Sequence, residues 1–238
     1  MTNEQPFTSV WTREPRQAKS HGLSRAQIVR ATIDLLDAEG IESFSMRKLG
    51  ARLGSGATSV YWHVATKDEL LELAFDEVFG EIVAFEPGTT TWRNAAAAFA
   101  HSMRQVTLAH PWLATLIGRL PGIGPHALRL GDRLRGTFRE AGFHGLDADH
   151  ACSVLTSYVY GVTIPEIAWA SVVASTGVDE AEWSERVRPV FVKAAKEYPG
   201  LLADYEARSS ENPQIMAARN FDYGLLCVLD GLEARLKS

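Results

Sequence analysis

Apolar residues along this chain recur at helical rather than strand spacing. Ile28, Ala31, Leu35 and Leu36 mark one face of a first helix, which opens at the capping box Ser24-Arg25-Ala26-Gln27 and stops at Gly40. Met46, Leu49 and Leu53 form a shorter stripe that starts after Ser45 and ends at Gly54. A brief segment, Thr58 to Val64, follows Gly54-Ser55-Gly56. Thr66-Lys67-Asp68-Glu69 reads as a second capping box, opening a helix with Leu70, Leu71, Ala74, Phe75 and Val78 on its buried side. Past Pro87-Gly88 the spacing predicts helices over 92–109, 112–116 and 127–141, with a loop marked by Pro and Gly at 120–125. Asp147 is expected to cap a long apolar helix reaching about Ala174, and Ser184 to open another ending near Glu197. Pro199-Gly200 breaks the chain. Asn212-Pro213 then sets a cap ahead of a proline at the first position of the last helix, which runs to about Leu236. No alternating β-branched run bounded by turns occurs, so the expected fold is all-α.

The stretch Ser45 to Lys67, SMRKLGARLGSGATSVYWHVATK, places two short helices around a tight glycine-containing turn, the layout of a helix-turn-helix. A helix entering the DNA major groove needs small polar side chains at its start, so that its backbone can approach base edges, and groups that hydrogen-bond phosphate. Ala57, Thr58 and Ser59 stand at the start of the second helix, and Tyr61 and His63 follow. Ser45, Arg47 and Lys48 open the supporting helix. Lys67 opens the next one, where its ammonium and the N-terminal amides would clamp one phosphate.

Charge supports a polyanion partner for the front of the chain only. The formal net charge is −5, but residues 11–67 carry about +4 and residues 68–238 about −8. Residues 1–21 lack hydrophobic periodicity and hold Arg13, Arg16 and Lys19. They read as a flexible basic arm, which either solubilises the chain or reaches an adjacent minor groove.

Composition narrows the remaining classes. At 238 residues and 46% hydrophobic, the chain is ordinary soluble-globular material with enough length to bury a core unaided. Cys152 and Cys227 lie in apolar surroundings, which favours a reduced, cytoplasmic setting. The longest apolar stretch, Val159 to Ala174, is broken by Pro165 and Glu166 and is not a membrane span. The first sixteen residues have no apolar core and are not expected to be a signal peptide. Neither a Cys-x-x-Cys pair nor His-Glu-x-x-His occurs, and the glycine-rich turns lack the strand context of a phosphate loop. No enzyme is expected, although a catalytic triad assembled only in space would not show in sequence.

Residues 22–82 resemble the DNA-binding domain of the tetracycline-repressor (TetR) family. The resemblance rests on Ala38-Glu39-Gly40, Ser45-Met46-Arg47-Lys48-Leu49, Ala51-Arg52-Leu53-Gly54 and, above all, Val60-Tyr61-Trp62-His63-Val64 with Lys67. Phe221-Asp222-Tyr223-Gly224-Leu225 through Gly231-Leu232-Glu233 is similar to the last helix of the same branch. The resemblance implies a homodimeric repressor in which each helix-turn-helix reads half of a palindromic operator, and residues 83–238 bind a small effector and dimerise. Its contacts to bases and phosphates fall on Arg47, Ala57, Thr58, Ser59, Tyr61, His63 and Lys67, and Trp62 packs the recognition helix onto the core. Gly56 and Ala57 stand where a longer reader is common, so the operator differs or the reader has lapsed, leaving a ligand-sequestering protein.

For the effector, residues 92–175 supply apolar and aromatic material: Phe99, Met103, Trp112, Ile117, Phe138, Tyr158, Tyr160 and Trp169. Glu166, beside a helix-kinking Pro165, is the best polar candidate, with Thr163, Tyr158 and His101 behind it. By resemblance, the drug and its magnesium would fall on Phe99, Met103, Ile117, Leu120, Pro121 and about Pro165. These are nearly all apolar, while a hard cation needs oxygen or imidazole ligands. No metal or cofactor is expected, no magnesium–tetracycline binding, and a largely hydrophobic or aromatic effector. The helices after Asp147 and Pro213 would pair with those of a second copy as a four-helix bundle, eased by Ala217, Ala218, Gly224 and Gly231. The helix Lys67 to Ala84 would carry the effector's displacement to the reader.

Overall fold

The computed structural model describes residues 9–12, 23–209 and 212–237. Among them the chain forms eleven helices and no strand. Helix α1 spans Arg25–Glu39, α2 Met46–Arg52, α3 Ala57–Tyr61 and α4 Lys67–Phe79. Then come α5 (Trp92–Ala109), α6 (Leu113–Leu116), α7 (Pro125–Ala141) and α8 (Leu146–Ser175). The last three are α9 (Glu180–Ala194), α10 (Pro199–Ser209) and α11 (Pro213–Leu236). The expected caps at Ser24 and Asn212 form, while the expected box at Thr66 is half formed, since the Glu69 side chain takes the Ala65 amide instead. The Ser24 hydroxyl accepts from Gln27 N–H while the Gln27 side chain accepts from Ser24 N–H, and Asn212 takes the amides of Gln214 and Ile215.

Several boundaries differ from the sequence expectation. Pro125 and Pro199 each begin a helix, because a proline at the first helical position loses no bond. Helix α10, read as a break, is therefore real. Asp179 caps α9 by accepting from Glu182 N–H, one turn before Ser184. Helix α8 starts after Gly145 rather than at Asp147 and continues through Pro165.

The chain divides into two compact units between Glu140 and Ala141. In the first, α1 packs on α4 and α2, and α2 on α3. Ile28, Leu36, Leu49, Val60, Val64 and Leu70 are fully buried there. Polar side chains extend this unit past residue 82. The buried Asp76 of α4 accepts the His126 and Ala127 amides at 3.2 and 2.9 Å and so caps α7. Asp37 of α1 accepts from Trp112 Nε1 at 2.7 Å, and the same oxygen lies 2.8 Å from His110 Nδ1. Glu81, just past α4, meets the other nitrogen of His110 at 3.2 Å. These bonds to the partly exposed Asp37 carboxylate join α1 to the α5–α6 corner.

The expected free arm is not free at Ser9–Thr12. Ser9 is buried, and its hydroxyl and the Val10 amide both donate to Glu72 of α4. Arg13, Arg16 and Lys19 lie outside the described residues.

The second unit is built on α8 against α11. Ala148, Ala151, Leu155 and Val159 form one buried stripe, and Phe221, Leu225, Leu229 and Leu232 the other. The two helices approach closely at Gly224, where a Cβ would overlap the Tyr158 ring.

Candidate nucleic-acid interface

The turn between α2 and α3 needs glycine at residue 54. Gly54 has φ +63°, and the Ser55 amide returns to Gly50 O at 2.9 Å, which reverses the chain within a few residues. Ser45 caps α2 by accepting from Lys48 N–H. Helix α3 is five residues long and has a glycine, not a side chain, at its cap. It is held by two buried residues one turn apart, Val60 and Val64, each at most 1% exposed.

That anchoring decides which side chains face outward. Trp62, which caps the helix, lies about 200° round it from Val60. It is 71% exposed, so the expectation that it packs α3 onto the core fails. Thr58 and Tyr61 are exposed as well, and Ser59 and His63 are half-buried. Ala57 is the first residue of the helix. Arg47 is exposed on α2. Lys48 and Arg52 pair with α1, at 2.6 Å to Glu39 and 3.6 Å to Asp34, but these are exposed pairs of small worth and open to exchange for phosphate.

Lys67 makes contacts within the protein. Its Nζ donates to Phe44 O at 3.0 Å and lies 5.3 Å from the centre of the Phe44 ring. Beside it, Thr66 accepts from Glu69 N–H, and Glu69 accepts from Ala65 N–H at 2.8 Å. Lys67 thus ties the loop before α2 to the start of α4.

The effector candidates separate by unit. Phe99, Met103, Trp112 and Phe138 are buried in the first unit, with Ile117 half-buried. Trp112 does not offer its N–H to a ligand, because Asp37 holds it. Tyr158, Glu166 and Trp169 belong to α8 of the second unit. The Tyr158 hydroxyl donates to Phe221 O at 2.7 Å and clasps α11. Glu166 is half-buried with a partner of its own, and Trp169 and His101 are exposed. Thr163 is fully buried with no hydrogen-bond partner for its hydroxyl, and burial pushes the phenol of Tyr160, one turn before it, above its usual pKa. Among the described residues no cluster of three or more His, Cys, Asp or Glu could hold a metal ion, and no helix is long and apolar enough to cross a membrane.

Sequence reasoning missed Asp37, His110, Glu81, Glu72 and Asp76. The available signal was Glu69, Glu72 and Asp76 on one side of α4, which reads as a solvated face unless the helix is known to be enclosed.

Comparison with known proteins agrees with this geometry. Residues 28–74 match the model of bacterial regulatory proteins of the tetR family, and residues 85–236 match the tetracyclin repressor-like C-terminal domain. An HTH-type transcriptional regulator of Saccharopolyspora erythraea is 33% identical over 98% of this chain and 94% of its own length. The HTH-type transcriptional repressor DrrR1 of Streptomyces coeruleorubidus is 30% identical over 93% of this chain and 81% of its own. Among solved structures, ActR of Streptomyces coelicolor in complex with actinorhodin superposes with a TM-score of 0.74 at 27% identity, covering 92% of this chain and all of that one.

Proposed function

The chain belongs to the tetR family of bacterial regulatory proteins and is a ligand-responsive DNA-binding transcriptional regulator, not an enzyme; from that premise we propose a cytoplasmic homodimeric repressor that binds a palindromic operator and leaves it when a largely hydrophobic or aromatic effector binds. The observation that carries the reading is the exposed face of α3. Thr58, Tyr61 and Trp62 stand outward from a helix locked by Val60 and Val64, beside the exposed Arg47. In this reading Arg47, Ala57, Thr58, Ser59, Tyr61, Trp62 and His63 meet base edges and backbone, and Lys48 joins them by exchanging Glu39 for a phosphate.

The second unit supports the pairing of two copies. Helix α11 exposes Ile215, Tyr223 and Leu226, and α8 exposes Val154, an apolar surface that one copy leaves uncovered. A palindromic operator presents its half-sites roughly 34–36 Å apart, one turn of DNA, so two paired copies must hold their recognition helices at that spacing to bind it. An effector favouring another spacing releases the operator by its differential affinity for the two states. The orphaned hydroxyl of Thr163 and the half-buried Tyr160 are the polar groups on α8 best suited to an oxygen-bearing aromatic effector. The division of labour falls near residue 82, with the reader before it and the effector and dimer surfaces after it. Support for a small-molecule effector comes from ActR, solved in complex with actinorhodin.

The test selects duplexes from random DNA with the full-length protein and measures affinity against salt. Retention with a steep salt dependence is expected, falling sharply in a Thr58→Ala/Tyr61→Ala double variant. Indifference to every duplex at low salt would overturn the reading.

A further inference from the structure

The segment Ser9–Thr12 lies outside both matched family regions and yet is built into the first unit. It closes a turn on itself: Thr12 N–H and Thr12 Oγ1 both donate to Ser9 O, at 3.2 and 3.0 Å. The Trp11 amide donates to Ser9 Oγ at 3.2 Å. The outer edge of this turn grips α4 through Glu72, which accepts from the Ser9 hydroxyl and from the Val10 amide at 3.0 Å. Ser9 and Glu72 are both buried. The Trp11 ring lies under the guanidinium of Arg25, the first residue of α1, at 5.9 Å. Four residues therefore touch the start of one helix and the middle of another.

The position along α4 gives this contact its meaning. Three buried acids follow one another on that helix, and each spends its carboxylate on backbone amides elsewhere. Glu69 holds Ala65, in the turn that leaves α3. Asp76, seven residues and about 10 Å further along, holds the first amides of α7. Glu72 sits between them and holds the segment at 9–12. Any displacement of α4 between α7 and the recognition helix must carry this segment along or break both of its bonds to a buried carboxylate. A contact made in only one position of α4 shifts the equilibrium between positions by its own worth.

We propose that Ser9–Thr12 is a brace on α4, with Glu72 as the positioning residue, which holds the helix against α1 and so slows the recognition helix in leaving its operator-binding position. The consequence for the operator rests on the regulator reading above. The brace itself does not.

The experiment uses the full-length protein, Ser9→Ala, Glu72→Gln, and a chain lacking residues 1–12. Hydrogen exchange followed by mass spectrometry is expected to show amides of Lys67–Phe79 exchanging at least several-fold faster in Ser9→Ala and in the truncated chain. Peptides from α8 and α11 should keep their rates, which a general loss of stability would not allow. A duplex selected from random DNA should dissociate severalfold faster from both forms. Adding Glu72→Gln to the truncated chain should change neither exchange nor dissociation further, because the two changes remove one interaction. Unchanged exchange across α4 on truncation overturns the brace, and the truncated chain decides even if Glu72→Gln folds poorly. If the unaltered protein binds no duplex, the regulator reading fails, while exchange at α4 still decides the brace.

Discussion

Helices α3 and α11 each leave large side chains in solvent, and the difference between them lies in the charge around those side chains. On α3, Tyr61 and Trp62 are exposed beside Arg47, Lys48 and Arg52. On α11, Tyr223 is 74% exposed and Leu226 54%, between Asp222 and Asp230, with Val154 on the neighbouring α8. Aromatic surface costs free energy to hydrate wherever it stands, and both patches therefore point to a partner. Cations turn the first toward a polyanion. The second patch mixes Arg219 with Asp222 and Asp230, lacks the cationic excess of the first, and suits protein. Exposure alone would have treated the two patches as equivalent.

The most damaging way to test that contrast is to charge the second patch. Tyr223→Glu with Leu226→Glu should convert a dimer to a monomer in sedimentation. Operator affinity should fall by roughly 100-fold or more, because each half-site would then be bound alone. A dimer that survives would move the interface elsewhere. Next in size, Asp76→Ala leaves two α7 amides without their acceptor and opens a small void, so a loss of about 2–3 kcal/mol is expected in denaturant melts of the free protein. On the first patch, Tyr61→Ala and Trp62→Ala should each weaken operator binding about tenfold with little change in melting temperature. Equal affinity would return Trp62 to a bystander role. The smallest effect separates the internal cation from the external ones. Lys67→Met should lower thermal stability by about 1 kcal/mol and leave the slope of affinity against salt unchanged, whereas Arg47→Met should reduce that slope by about one unit. A reduced slope in Lys67→Met would restore its phosphate contact.

Much of this was legible in the sequence because it was local. Caps at Ser24, Ser45, Thr66 and Asn212 act over three residues, and the chain carries both partners within that span. The tight turn at Gly54 and the stripe of Leu70, Ala74 and Val78 are equally short-range. What escaped were pairings across distance: Asp37 with Trp112, Asp76 with Ala127, Glu72 with Val10. Glu72 and Asp76 sit on what looks like a polar helix face, and only the enclosure of α4 makes that face interior, while the Asp37 pairing joins residues 75 positions apart in the chain. The misplacement of Trp62 has the same origin. Tryptophan is usually core material, and only the buried pair Val60 and Val64 turns it outward.

By itself, then, the order of residues settled the all-helical class, the two-helix reader and most helix ends, since backbone propensity and capping are decided within a turn or two of the chain. Tertiary packing alone decided which acids are structural, that Lys67 faces inward and Trp62 outward, and that a stretch near the amino end grips α4. Burial depends on what covers a side chain, and the covering elements arrive from dozens of residues away.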